Sequence, residues 1–395
     1  MNVYFDNAST TKIREEVVSE ISSILKNCFG NPSSSHSYGR SAKSYIETSR
    51  KTIANILNCE PKEIIFNSGG TESDNSILKS AVKDLRVKHI ISSRIEHHAV
   101  THTLDELELQ GINIHYVKLN ENGNIDFENL ENLLNVDNEP KLVTLMYINN
   151  EIGNILDINR VSILCQKYNV YFHSDAVQAV GHYKIDLSSL KIDFLSSAAH
   201  KFHGPKGVGF TYINKSTKIK SFISGGPQER GMRAGTESVH NIVGMTKALV
   251  IADQNMEKEA EYVRSIKIKM IDGLKSLFPD IHFNGDSGDM HKSTYTVLNV
   301  CFPILNEKAS MLDFHLDLKG IACSKGSACQ SGSSQGSHVL NEIQNILVHK
   351  YLVNHNISSS LQLPFYKLDP HHPLIYQSPI LMELDLYLLF LVIPF

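Results

Sequence analysis

A chain of 395 residues is long enough for a large core and two domains. With 20% charged residues and a net charge of −4, it carries no basic excess that would mark nucleic acid or an anionic membrane as a direct partner. Six cysteines are too sparse for a disulfide framework and lack the paired CxxC spacing of a structural zinc site. The first residues, MNVYFDNAST, contain neither a basic n-region nor an apolar h-region, so a cytoplasmic protein is expected.

In chain order, residues 13–27 and 40–58 have helical periodicity. EIIF (63–66) predicts a short strand, and NSGGTESDNSILKSAV after it predicts a glycine turn running into a helix. Further strands are predicted at HIISS (89–93), INIHYV (112–117), LVTLMYI (142–148), VYFHSD (170–175), DFLSSA (193–198) and GVGFTYI (207–213), with helical segments between most of them. Apolar strands alternating with helices predict an α/β fold whose sheet is mainly parallel and covered on both faces. Ligands of such sheets bind at the carboxyl ends of the strands. From about residue 239 long helices, such as 254–277, give way to mixed elements, which predicts a smaller second domain.

Three features carry chemistry. NSGGTE (67–72) places a glycine turn at a strand-to-helix junction, where free amides favour a phosphate; many such turns are only tight connections. It is neither a Walker loop nor the GxGxxG turn of the dinucleotide fold. Asp175 in HSDAVQAVG (173–181) ends an apolar strand, where it either caps the next helix or holds a protonated ring nitrogen, and Gln178 lies one turn on. Lys201 in AAHKFHGPKGVG (198–209) follows a strand; it is either a solvated loop lysine or a Schiff-base lysine. A lysine, a strand-end aspartate and a phosphate turn together suit pyridoxal phosphate, which needs an amine for its aldehyde and an acid opposite its pyridine nitrogen. His97 either starts a helix or stacks on such a ring. His98 and His102 have the i, i+4 spacing of metal ligands, without a third ligand motif.

Taken with YFDNASTT (4–11), GNPSSSHSYGR (30–40), EHHAV (96–100), NNEIG (149–153), GGPQERGMRAGTES (225–238) and CSKGSACQSG (323–332), these stretches resemble the cysteine desulfurase family of fold-type-I pyridoxal-phosphate enzymes. The resemblance runs in the family's order over roughly 1–345, and the cysteine loop is similar to the class with the longer, mobile loop. It implies a large cofactor-binding domain (16–255), a small domain with the cysteine loop (256–345) and an N-terminal segment (1–15) packed on the small domain. It also implies pyridoxal 5′-phosphate as cofactor, L-cysteine as substrate and a homodimer. By position, Lys201 would hold the cofactor and move protons, Asp175 would pair with the ring nitrogen, Gln178 with the ring hydroxyl, and His97 would stack on the ring. Gly70, Thr71 and His200 would hold the phosphate, with Thr236 reaching the neighbouring subunit's phosphate. Asn150 would contact cofactor or substrate, and Asn31 would line the substrate site. Cys329 would be the nucleophile that becomes a persulfide, delivering sulfur to an iron–sulfur scaffold protein or to a tRNA-thiolation acceptor. Cys329 is also the residue that would ligate a cluster shared with a scaffold.

Two departures from the family pattern stand out. Ala198 occupies a cofactor-contacting position where the family commonly has a phosphate-binding serine, removing one hydroxyl bond to the anion, about 1.5–3 kcal/mol at most. The segment 346–395 contains no arginine, whereas the family usually clamps the substrate carboxylate there with a bidentate guanidinium. The abrupt change points to a shifted reading frame near Ile346, which resequencing the coding DNA checks. The alternative function is a catalytically impaired, desulfurase-like assembly partner.

Overall fold

The computed structural model describes residues 3–302, 311–324, 336–351 and 360–364. The chain begins with a short strand, β1 (Val3–Tyr4), and two helices, α1 (Glu15–Asn27) and α2 (Ser37–Leu57). α1 buries Val17 and Ile24, seven residues apart on one face. Glu15 and Glu16 lie in its first turn and Lys26 in its last, matching the helix dipole. α2 stops at Asn58, whose left-handed backbone (φ 54°) closes the helix.

The central layer then forms by alternation. In order it comprises β2 (Ile64–Asn67), α3 (Gly70–Asp84), β3 (His89–Ser92), α4 (His98–Leu109), β4 (Asn113–Tyr116), α5 (Phe127–Leu134), β5 (Lys141–Thr144), α6 (Ile158–Lys167), β6 (Tyr171–Asp175), β7 (Phe194–Ala198) and β8 (Gly209–Ile213). Seven strands make one sheet in the order β2-β8-β7-β6-β5-β3-β4. β8 runs antiparallel to both neighbours, and the other pairings are parallel. Every residue of β3, β5 and β7 is buried, as a sheet covered on both faces requires. The predicted strands lie within a few residues of those observed. The largest difference is at 142–148, where the strand ends at Thr144 and Leu145 onward turns toward the site.

α7 (Val239–Leu277) is one helix of 39 residues, roughly 58 Å at 1.5 Å per residue, and it crosses position 255 without a break. Up to Leu249 its buried side chains join the core of the large sheet. From Ala260 on its buried apolar side chains join a second core that includes Leu298, Val300 and Leu316. The second unit contains β9 (His282–Phe283), β10 (Val297–Cys301), α8 (Leu312–Leu318) and β11 (Ile321–Ala322). β1 pairs with β11 in parallel, Val3 opposite Ile321, which carries the first residues onto the second unit. Two further elements follow, α9 (His338–Tyr351) and β12 (Ser360–Pro364). β12 pairs antiparallel with β10 through five residues, although the sequence there suggested no strand. Backbone pairing needs no particular side chain, so periodicity did not announce it.

Candidate active site

The parallel strands β3, β5, β6 and β7 end at one edge of the sheet, and a cavity of about 200 Å³ lies there. Of the residues singled out from the sequence, Gly70, Thr71, His97, Asn150, Asp175, Gln178, Ala198, His200 and Lys201 all line it. They come from five separate chain segments, which the sheet gathers because each follows a strand. β6 ends on Asp175 itself, whose Oδ1 accepts the Val177 amide (2.9 Å). β7 ends on Ala198 and passes into a single 3₁₀ turn, Ala199–Lys201, that points Lys201 back into the cavity. The Lys201 ammonium donates to the carbonyls of Ala8 and Ser9, the latter at 2.9 Å. His182 Nε2 meets the Lys201 carbonyl at 2.9 Å and fixes the backbone of that turn.

The glycine turn is built for close approach. Gly69 has φ 142°, a conformation that residues with a Cβ rarely adopt, and the Asn67 side chain accepts its amide (2.9 Å). Gly70 opens α3 against Val177; a methyl on Gly70 would stand 2.7 Å from Val177 Cγ2. Without that methyl the first turn of α3 opens on the cavity, where helix amides suit an anion.

Burial sets the charges. It pushes the Asp175 carboxyl up to about 6, while the Val177 amide and the Lys201 ammonium pull the other way. Asp74, 1% exposed and absent from the sequence-based site, also lines the cavity. Burial, then the Asp175 carboxyl beside it, holds Asp74 well above the usual carboxylate range. The signal was its place one turn after Gly70 on α3. His97 caps α4, accepting the Ala99 amide at Nδ1 (3.1 Å). Burial, followed by repulsion from Lys201, lowers His97 to about 4, so it presents a neutral ring to the cavity.

Two predicted residues lie elsewhere, and a third is not among the described residues. Asn31 is exposed, and its side chain accepts the Ser33 amide (2.9 Å) in a local turn instead of facing the cavity. Thr236 is exposed on the 225–238 segment, outside its own chain's cavity. Cys329 lies outside the described residues. His98 and His102, spaced as metal ligands, stack ring on ring at 4.5 Å and belong to no converging ligand group among the described residues. Such groups are Asp74, His97 and Asp175 in the cavity, and His89, Asp137 and Glu139, where the Lys141 ammonium donates to Asp137 (2.6 Å).

The 225–238 segment is pinned by its charged side chains, Arg230 among them through Glu47 (2.8 Å). Glu229, 4% exposed, takes both Arg50 Nη atoms at 2.7 Å and the Phe66 amide at 2.8 Å. Glu229 and Arg230 both have left-handed backbones (φ 45° and 60°), a strain of about 1–2 kcal/mol each that these contacts offset. Arg233 holds Glu72, in the first turn of α3, through Nε at 2.8 Å and Nη2 at 3.1 Å.

These groups fit pyridoxal 5′-phosphate. Gln178 Nε2 donates to the Ala8 carbonyl (3.0 Å), while its Oε1 is buried without a hydrogen bond and suits a ring hydroxyl as donor. Asp175 offers a buried acid for a ring nitrogen, the start of α3 suits a phosphate, and Lys201 supplies an amine. Sheet topology and this complement of groups define the class of fold-type-I pyridoxal-phosphate enzymes. The Aminotransferase class-V family model matches residues 3–349. A cysteine desulfurase IscS of Clostridium botulinum (strain Kyoto / Type A2) is 42% identical over 340 residues, covering 86% of this chain and 84% of the relative. The solved structure of a NifS-like protein superimposes with a TM-score of 0.85 at 33% identity, covering 99% of this chain and 98% of that one. SspA, solved in complex with cysteine, gives 0.78 at 28% identity over 93% of this chain and 100% of its own. The chain belongs to the cysteine desulfurase family, and its cofactor is pyridoxal 5′-phosphate.

Gly70→Ala drives a methyl into Val177, a β-branched side chain with little rotamer freedom, at the cavity wall. Fluorescence titration of the apoprotein with pyridoxal phosphate is expected to show affinity falling by about tenfold. Unchanged affinity would count against this placement of the phosphate.

No helix among the described residues is long and apolar enough to cross a membrane.

Proposed function

We propose that this chain removes sulfur from L-cysteine, giving L-alanine and a persulfide on Cys329, and passes that sulfur to an iron–sulfur scaffold protein or a tRNA-thiolation acceptor. The observation that carries the proposal is the meeting of Lys201, Asp175 and the start of α3 in one strand-end cavity. Bound there, pyridoxal phosphate supplies an electron sink for negative charge at the substrate Cα. Asp175 keeps the ring nitrogen protonated; a cation opposite this carboxyl lowers its pKa from about 6 and leaves it ionised at pH 7. Gln178 orients the ring hydroxyl, and His97, being neutral, stacks on the ring without adding charge. Gly70, Thr71 and His200 hold the phosphate, completed by Thr236 from a second copy, so the working unit is a homodimer. Lys201 Nζ binds the cofactor before substrate arrives, then takes the proton from the substrate Cα. Asn150, which lines the cavity, contacts the substrate.

Sulfur transfer balances within the chain's own chemistry. The Cys329 thiolate attacks the substrate sulfur, an S–S bond forms, and the Cβ–S bond breaks with its electron pair left on carbon. Protonation of that carbon and return of the Cα proton from Lys201 give alanine, and the thiolate must be the reacting form. The CSKGSACQSG stretch and membership of the family support Cys329 in this role.

The test combines purified protein, pyridoxal phosphate and L-cysteine, with alanine and sulfide measured. Cys329→Ser is expected to keep the cofactor's colour and lose alanine formation by on the order of 10²-fold or more. A serine variant that makes alanine at the parent rate overturns the persulfide step. A second reading, an impaired subunit, is favoured by one observation: no arginine follows Arg264 in the sequence, and none lines the cavity among the described residues. Colour without turnover in the parent protein would establish it.

A further inference from the structure

The start of α9 is built into both loops that carry site residues. Ser337 Oγ donates to the Glu151 carboxylate and accepts the Leu340 amide (3.1 Å), so it caps α9 and ties it to the NNEIG loop beside Asn150. His338 Nε2 meets the Glu96 carbonyl at 2.8 Å, and the His338 ring packs on His98 at 4.3 Å, on either side of His97. Val339, Leu340 and Ile343 close a small apolar cluster with Ile95 and Ile152 from the same two loops.

The loops are themselves cross-linked. Asn149 Nδ2 donates to the Ile95 carbonyl (2.9 Å), and the Met146 amide donates to Glu96 Oε1 (3.0 Å). One rigid frame therefore carries His97, Asn150 and the first turn of α9. Ser337 follows Cys329 by eight positions, and a fully extended chain of that length covers at most about 29 Å.

We propose that Ser337 and His338 are positioning residues for sulfur transfer. They fix the downstream end of the Cys329 segment to the two loops that hold the cofactor ring and the substrate. The inference rests on Cys329 being the sulfur acceptor. Neither side chain lines the cavity, so the frame acts through the two loops and not by touching the substrate.

The experiment uses holoenzyme and single turnovers with L-cysteine. It follows the substrate-induced absorbance change and, by mass, the persulfide on Cys329. Ser337→Ala and His338→Ala are expected to retain cofactor content and the absorbance amplitude while persulfide appears about tenfold more slowly. Ser337→Thr and His338→Gln, which keep a donor at each position, are expected to recover most of the rate. Persulfide formation at the parent rate in the Ser337→Ala/His338→Ala double variant overturns the proposal. So does a slow rate that the conservative variants fail to restore, since that marks general damage to α9. Cys329→Ser run alongside separates the two ideas: alanine made at the parent rate there refutes Cys329 as acceptor, whatever the anchor variants do.

Discussion

Lys201→Ala is expected to abolish desulfuration, by on the order of 10³-fold or more, while the chain stays folded. Two functions are lost at once, the amine that binds the cofactor and the base that moves the substrate Cα proton. The fold should survive because the Lys201 side chain sits at the wall of a cavity, where it donates to the Ala8 and Ser9 carbonyls. Asp175, Gln178 and the start of α3 remain, so cofactor should still bind without a covalent link. Gel filtration in denaturant would then strip the chromophore from the variant, and borohydride treatment beforehand would fix it only in the parent. Turnover by the alanine variant within tenfold of the parent would remove Lys201 from the reaction.

The second large effect is on stability. Arg50 and Glu229 are both 2% exposed at their side chains and face each other through two contacts of 2.7 Å. Arg50 also donates to the Ile64 carbonyl (2.6 Å) and lies 4.6 Å over the Phe66 ring. Removing one partner strands the other charge in the core, which costs about 3–5 kcal/mol. Arg50→Met is expected to lower unfolding free energy in urea by that amount, and Arg50→Met with Glu229→Gln to recover part of it. A loss below about 1 kcal/mol would mean the pair is solvated and the left-handed turn at Glu229 and Arg230 is held by other contacts. The same variants should loosen the 225–238 segment that presents Thr236.

The fold was legible because its signals are local. Short apolar strands, each followed by a turn and a helical stretch, specify a doubly covered parallel sheet whatever the loops do. The site was legible where chemistry sits at a strand end: Asp175 closes β6, Lys201 follows β7 and Gly70 follows β2, so topology alone carries them to one edge. Asp74 was hidden because a polar residue one turn into a helix usually faces water; only the packing of α3 on the sheet turns it toward Asp175. Asn31 went the other way, its amide engaged by the Ser33 backbone.

The sequence by itself determined the α/β alternation, the phosphate turn, the acid and the lysine, since each depends on neighbours close in the chain. It also determined the absence of arginine after Arg264, and the family match ends at residue 349, close to where the composition changes at Ile346. Only the tertiary structure decided that the Ala8 carbonyl is shared by Gln178 and Lys201, 170 and 193 residues away. It alone decided that Glu229 anchors to Arg50 and that α9 starts between the His97 and Asn150 loops. Periodicity reports which face of an element is buried, whereas the partner across that face is set by how distant segments pack, and no local pattern encodes it.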